Sequence, residues 1–124
     1  MQQMSDSYIS FYLKANRIHL FVKALRDLGC PNRVCFLLDP DGKTLVMVPH
    51  AKRDLISHSI SADTYRGMKY MEVCSKKLCR ILARSHDWDL DSSYRIPGIV
   101  FIDQHIAKYD LTRAQLIKTQ KNNH

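Results

Sequence analysis

The sequence predicts an α+β fold: a small pseudo-twofold β-barrel built from two strand-helix-hairpin repeats, with short flanking helices. The first observation is a recurrence. Arg17-Ile-His-Leu-Phe-Val-Lys-Ala-Leu-Arg-Asp-Leu-Gly29 returns in degraded form as Tyr70-Met-Glu-Val-Cys-Ser-Lys-Lys-Leu-Cys-Arg-Ile-Leu82. The second is order: each copy reads as a strand that runs directly into a basic, leucine-spaced helix, and each is followed by a strand pair. The third is size. At 124 residues the chain is expected to be one compact domain, or two small half-domains sharing a core, and a chain of this length buries roughly two-thirds of its unfolded surface without needing metal or disulfide.

The expected domain spans 8–118, with repeat 1 at 8–50, repeat 2 at 55–111 and a short C-terminal helix at 112–118. Residues 1–7 read as a flexible lead and 119–124 as a flexible, polar tail. Tyr8-Ile-Ser-Phe-Tyr-Leu-Lys14 is rich in β-branched and aromatic residues and suits a strand. Ala15 and Asn16 form a turn, and Arg17-Ile-His-Leu20 alternates polar and apolar as a half-buried strand does. Residues 23–28 are helical, with Leu25 and Leu28 on one face and Gly29 placed to end the helix.

Arg33-Val-Cys-Phe-Leu-Leu38 is a nearly continuous apolar run, expected to be a central strand covered on both faces. Asp39-Pro-Asp-Gly42 is a tight-turn signature, and Lys43-Thr-Leu-Val-Met-Val48 is the returning strand, stopped by Pro49. The basic bridge 50–54 is the seam between the halves. Residues 55–60 open the second half as a strand, 63–67 form a loop, and 69–74 are the strand that precedes the second helix. Ser75 is a good N-cap for a helix over 76–83, with Leu78, Ile81 and Leu82 as its apolar stripe. The acidic stretch 86–91 is an insertion without a counterpart, with Trp88 packed inward. Residues 94–102 form a strand that Pro97-Gly98 should interrupt with a bulge or an edge, and 106–111 form the last strand. Asp110 or Thr112 would cap the terminal helix. The expected core is Leu25, Leu28, Val34, Phe36, Leu45, Met47, Leu78, Ile81, Ile99 and Phe101.

Nineteen Lys and Arg against 12 Asp and Glu give a net charge of +7, an excess that favours polyanions and phosphate contacts. No apolar run approaches the roughly 18–20 residues of a membrane span, and residues 1–6 lack the apolar core of a signal peptide. A cytoplasmic protein with no membrane partner is expected. Cys30, Cys35, Cys74 and Cys79 are spaced too widely for zinc knuckles and read as small buried thiols. Asp87, Asp89 and Asp91 lack the glycine and terminal glutamate of a calcium loop. Phosphate-loop, dinucleotide and hydrolase motifs are all missing, so neither a cofactor nor enzymatic activity is expected, and the six histidines read as surface residues, including His58 and His86, which with Asp87 could form a cluster.

Residues 16–29 together with Asn32-Arg-Val-Cys-Phe-Leu-Leu-Asp-Pro-Asp-Gly-Lys-Thr-Leu-Val-Met-Val-Pro49 resemble the AbrB/SpoVT transition-state regulator domain. The resemblance covers about 35 residues, with a fainter echo in the second half. It departs from the family at Val22, where a proline is usual, and at Pro31-Asn-Arg-Val34, the entry to the hairpin. In that family two chains interlock their hairpins into one barrel and grip DNA through lysines and arginines. The resemblance therefore implies a covalent pseudo-dimer that binds double-stranded DNA, monomeric or itself a homodimer. The DNA-facing set it implies is Lys14, Arg17, Lys23 and Arg26, with Lys69, Lys76, Lys77 and Arg80 in the second copy. Long cations near a strand end and a helix start suit phosphate contact on physical grounds as well. A rival expectation is a protein-interaction adaptor, an accessory factor of a mobile element that docks on a recombinase, nuclease or regulator. Glu72 and the acidic loop break the symmetry of the basic faces, and Trp88 and Tyr94 would be the anchors.

Overall fold

A computed structural model describes residues 3–50 and 57–117. Strands β1 (Met4–Tyr12) and β2 (Arg17–Phe21) flank a 3-10 turn at Leu13–Ala15, and β2 leads straight into helix α1 (Val22–Asp27). The hairpin β3 (Arg33–Leu38) and β4 (Thr44–Pro49) follows. The second half runs β5 (Ser57–Ser59), a 3-10 turn at Ala62–Tyr65, β6 (Tyr70–Cys74), α2 (Lys76–His86), β7 (Ser93–Phe101) and β8 (Ile106–Asp110). A last 3-10 turn, Leu111–Arg113, precedes the two-residue β9 (Gln115–Leu116).

Eight strands pair in the order β5-β3-β4-β8-β7-β1-β2-β6, and β9 adds to β7. Every pairing is antiparallel. The protein is α+β, a nearly closed antiparallel barrel of eight strands with few helices. Alternation along each strand points one set of side chains inward. Ile9 and Phe11, Ile18 and Leu20, Leu45 and Met47, Ile96 and Val100, and Ala107 and Tyr109 all lie inside and buried. Leu25, Leu28, Cys79 and Leu82 of the two helical segments join the same cluster.

The expected hairpin forms between β3 and β4. Asp39 N–H donates to the Thr44 carbonyl at 3.0 Å and Gly42 N–H to the Asp39 carbonyl at 2.8 Å, with Gly42 at φ 70°. The α1 helix ends through Gly29 at φ 94°, where a side chain would be strained. Ser75 caps α2, its Oγ accepting from Leu78 N–H at 3.2 Å. The variant Ser75→Ala is expected to lose about 1 kcal/mol of stability in urea titration.

Several expectations are corrected. Strand β1 begins at Met4, where a lead had been expected, because Met4–Tyr12 pairs along its whole length with Phe101–Ser93 of β7. Strand β3 lies second in the path and its outer half is open, with Leu37 and Leu38 49% and 38% exposed. Pro97 and Gly98 make no bulge: the β1–β7 register runs through both without a skip. Pro97 lies just beyond the last β7–β8 pair, a place where a strand tolerates a residue with no donor. Unbroken alternation then turns Ile99 outward and puts Ile96 and Val100 inside. On α2 the buried stripe is Cys79, Leu82 and Ala83, so Ile81 is exposed.

The C-terminal helix is replaced by the 3-10 turn and β9. Asp110 does cap, accepting from Thr112 N–H at 3.0 Å, but the chain then pairs Gln115 and Leu116 with Arg95 and Tyr94. Residues 51–56, in the expected seam and opening strand, and 118–124 fall outside the described residues. Cys35 and Cys79 are buried as expected, whereas Cys30 and Cys74 are exposed. Burial pushes the Cys79 thiol up to about 11.

Candidate nucleic-acid interface

Strands β2 and β6 pair antiparallel, so each strand's end lies beside the other's start. Both strands run directly into helices. The two junctions are therefore at opposite ends of one two-stranded ribbon, and each is tied across to the other strand. Val22 N–H donates to the Lys69 carbonyl at 2.9 Å, and Ser75 N–H donates to the Asn16 carbonyl at 3.1 Å.

The expected cations separate into two groups. At the Phe21–Tyr70 end, Lys23, Arg26 and Lys69 line a shallow groove of about 280 Å³ together with Phe21, Gly67, Met68 and Tyr70. Arg26 donates to the Tyr65 carbonyl at 3.3 Å, and Lys23 pairs with Asp27 at 3.1 Å. At the Arg17–Cys74 end, Lys14 stands on the first 3-10 turn and Lys76, Lys77 and Arg80 lie on α2. All four are exposed, and α2 packs near that turn.

Arg17 opens β2 on the outer face of the ribbon, at the Arg17–Cys74 end. It meets Glu72 at 3.3 Å, and His19 Nε2 meets the same carboxylate at 2.7 Å. The hydrogen bond from His19, with help from the Arg17 charge, holds the Glu72 carboxyl below its ordinary range. Glu72 thus sits as a locally compensated anion amid the cations.

Four aromatic rings share this outer face with His19. Tyr8 of β1, Phe21 of β2 and Tyr70 of β6 make a row, with centroids 6.4 Å apart between the first two and 4.9 Å between the last two. Tyr12 packs on His19 at 4.4 Å. From β7, the Arg95 guanidinium lies over the Tyr8 ring, 5.7 Å from its centroid. Tyr8, Phe21, Tyr70 and Arg95 are not among the site residues expected from the sequence. The signal was present in Arg17-Ile-His-Leu-Phe21, where Phe21 shares the parity of Arg17 and His19 and must face outward with them.

Trp88 and Tyr94 are spent internally. Trp88 stacks on Tyr94 at 4.9 Å and 17°, and packs against Phe11 at 5.8 Å. The Tyr94 hydroxyl accepts from Asp89 N–H at 2.9 Å, and the Asp89 carboxylate accepts from Asp91 N–H and Ser92 Oγ. Together they clamp the acidic loop onto the barrel. His86 Nε2 lies 2.9 Å from the Gly42 carbonyl and His58 packs on Phe36, so each histidine has its own structural contact. Among the described residues, three metal-ligating side chains converge nowhere, and no helix is long and apolar enough to cross a membrane.

No family model matches the chain, and no curated protein or solved structure matches it.

Proposed function

We propose that this chain is a non-enzymatic DNA-binding regulator of the AbrB/SpoVT kind, made of two fused copies of one strand-helix-hairpin unit. The observation that carries it is the two basic groups at the two ends of the β2–β6 ribbon. Four steps of about 3.3 Å along β2 separate the strand ends by about 13 Å, close to the roughly 12 Å width of the DNA major groove. Cations so placed can meet phosphates on both groove walls, a mode that fixes position on the duplex without reading bases.

The registers support the fusion. If β1 to β4 are exchanged with β5 to β8 in order, β3–β4 maps onto β7–β8 and β5–β3 onto β1–β7, while β2–β6 and β4–β8 map onto themselves, as a twofold axis through those two pairs requires. The exception is β1–β2, whose counterpart β5–β6 is the open seam. The sequence recurrence equates Arg17 with Tyr70, hence His19 with Glu72, and those two residues face each other across β2 and β6. The hairpins behave alike. Leu38 faces Leu45 and Val100 faces Ala107, pairs of equal span. Superposing them equates Val46 with Lys108, which again face each other. The same superposition matches Arg33 with Arg95, and it matches buried Val34, Leu45 and Met47 with buried Ile96, Ala107 and Tyr109. The two junction hydrogen bonds, Val22 to Lys69 and Ser75 to Asn16, are one bond occurring twice.

The test is duplex binding as a function of salt. Affinity should fall linearly on logarithmic axes, and the combined variant Lys23→Ala, Arg26→Ala and Lys69→Ala should lower the slope by about 2.7, at roughly 0.9 for each phosphate no longer neutralised. An unchanged slope removes these residues from the interface. Absence of duplex binding at low salt removes the duplex reading. The adaptor reading loses support at its named anchors, because Trp88 and Tyr94 hold the acidic loop.

A further inference from the structure

We infer that the outer face of β7, β1, β2 and β6 is a stacking platform for the unpaired bases of single-stranded DNA. This rests on the DNA reading above and narrows its ligand. Three rings form the row. Tyr8 faces Pro97 across β1 and β7, Phe21 faces Tyr70 across β2 and β6, and Tyr8 touches Phe21 between the two ribbons. A core role does not account for Tyr8 and Tyr70, since the inward positions of these strands are already filled by Ile9, Leu20, Val73 and Ile96, whereas Phe21 is partly buried and also packs against the core. Tyr70 is 51% exposed and Tyr8 40%, so both rings present area to solvent, Tyr8 beside the guanidinium that lies over it.

The neighbouring charge identifies the occupant. Arg95 covers one end of the row at Tyr8, and Lys23, Arg26 and Lys69 line the groove at the Phe21–Tyr70 end. Rings flanked by cations at both ends suit a polyanion that carries flat apolar groups, which is the chemistry of a nucleic-acid strand. An apolar protein surface would bring no anion to these cations, of which Lys23 has one anionic partner in Asp27. The spacing decides between paired and unpaired. Centroids 4.9 and 6.4 Å apart exceed the roughly 3.4 Å rise of a stacked duplex strand. A strand lying along the row must be opened, with single bases set against single rings. A duplex, whose bases are stacked on one another, offers the rings nothing. The same chain then has two grips on DNA: the flanking lysines and arginines hold phosphates of either form, and the aromatic row adds affinity only for the unpaired one.

The experiment measures fluorescence polarisation of labelled oligo-dT, the matching dA·dT duplex and oligo-rU against the full chain and three variants. Oligo-dT should bind more tightly than the duplex. Tyr70→Ala and Tyr8→Ala should each weaken oligo-dT by roughly 5- to 150-fold, the range for loss of one base-stacking ring, while duplex affinity changes far less. Tyr70→Phe keeps the ring and should keep the affinity. Thermal melting of each variant checks the fold, and Tyr70→Phe serves as the reference should an alanine variant melt early. If Tyr70→Phe loses binding as Tyr70→Ala does, the ring is not the contact and the platform is overturned. If duplex binds and oligo-dT binds no better, or if oligo-dT is insensitive to Tyr70→Ala, the platform falls and the duplex reading stands. A preference for oligo-rU over oligo-dT overturns the assignment to DNA. If no probe binds at low salt, both readings fall. Tyr70-dependent self-association in sedimentation without nucleic-acid binding would make the face a contact between copies.

Discussion

Replacing Gly98 by alanine is expected to destabilise the barrel by about 3 kcal/mol, at the upper end of the cost of overpacking a filled core. Gly98 lies in a row across three strands, facing Ser7 of β1 and Tyr109 of β8. Lacking a side chain, it leaves the space beside its backbone to the edge of the Tyr109 ring that carries Cδ1 and Cε1. A Cβ at this position would run into Tyr109 Cδ1 and would sit 2.5 Å from the Lys108 carbonyl oxygen. A rotamer change could relieve the first contact but not the second, because the oxygen belongs to the β8 backbone. Nor is Tyr109 free to leave: it is 1% exposed, and burial pushes its phenol up to about 12, so the hydroxyl stays neutral. Urea denaturation should show the midpoint falling at nearly constant slope. A variant as stable as the parent would mean that β7 and β8 can part here at little cost.

Phe11→Ala should cost about 3–5 kcal/mol, the range for removing a buried aromatic side chain. Phe11 is fully buried and carries Trp88 against its ring. Trp88 is the single tryptophan of the chain, which gives the substitution a second readout. Losing Phe11 removes one wall of the site that holds the indole, so emission should move to longer wavelength at temperatures where the variant is still folded. An unshifted spectrum would place the indole's support in Tyr94 and His86, which also contact it.

Much of the architecture is legible in the chain because local chemistry and tertiary structure agree there. Asp39-Pro-Asp-Gly42 specifies its turn wherever it is placed, and Ser75 specifies the start of α2 for the same reason. Legibility ends where pairing partners decide. Thr112-Arg-Ala-Gln-Leu has a helical look, yet the edge offered by Tyr94 and Arg95 captures Gln115 and Leu116 as a strand. Proline followed by glycine reads as a break, but Tyr109 fills the space that Gly98 leaves and the strand continues. That continuation fixes the parity of Ile99 and sends it outward. The cations were legible as a set, whereas their division into two ends of one ribbon depends on the β2–β6 register. The aromatic row was the hardest to see. Its three rings come from three strands, and in each strand the ring could be taken for core.

The residues facing each other across the proposed twofold acquire a freedom that a dimer of identical chains lacks. In a homodimer the residue on the axis meets its own copy, so the contact must be self-complementary. Histidine would have to face histidine there, or glutamate face glutamate, and either arrangement sets like beside like. Joining the copies in one polypeptide removes that constraint. On the proposed twofold the axial pair would be His19 and Glu72, a donor and an acceptor 2.7 Å apart, and on the opposite wall Val46 and Lys108. In the proposed fusion the linkage between halves would therefore do more than hold them together. It would let two copies diverge into lock and key at the point where symmetry would otherwise forbid any difference.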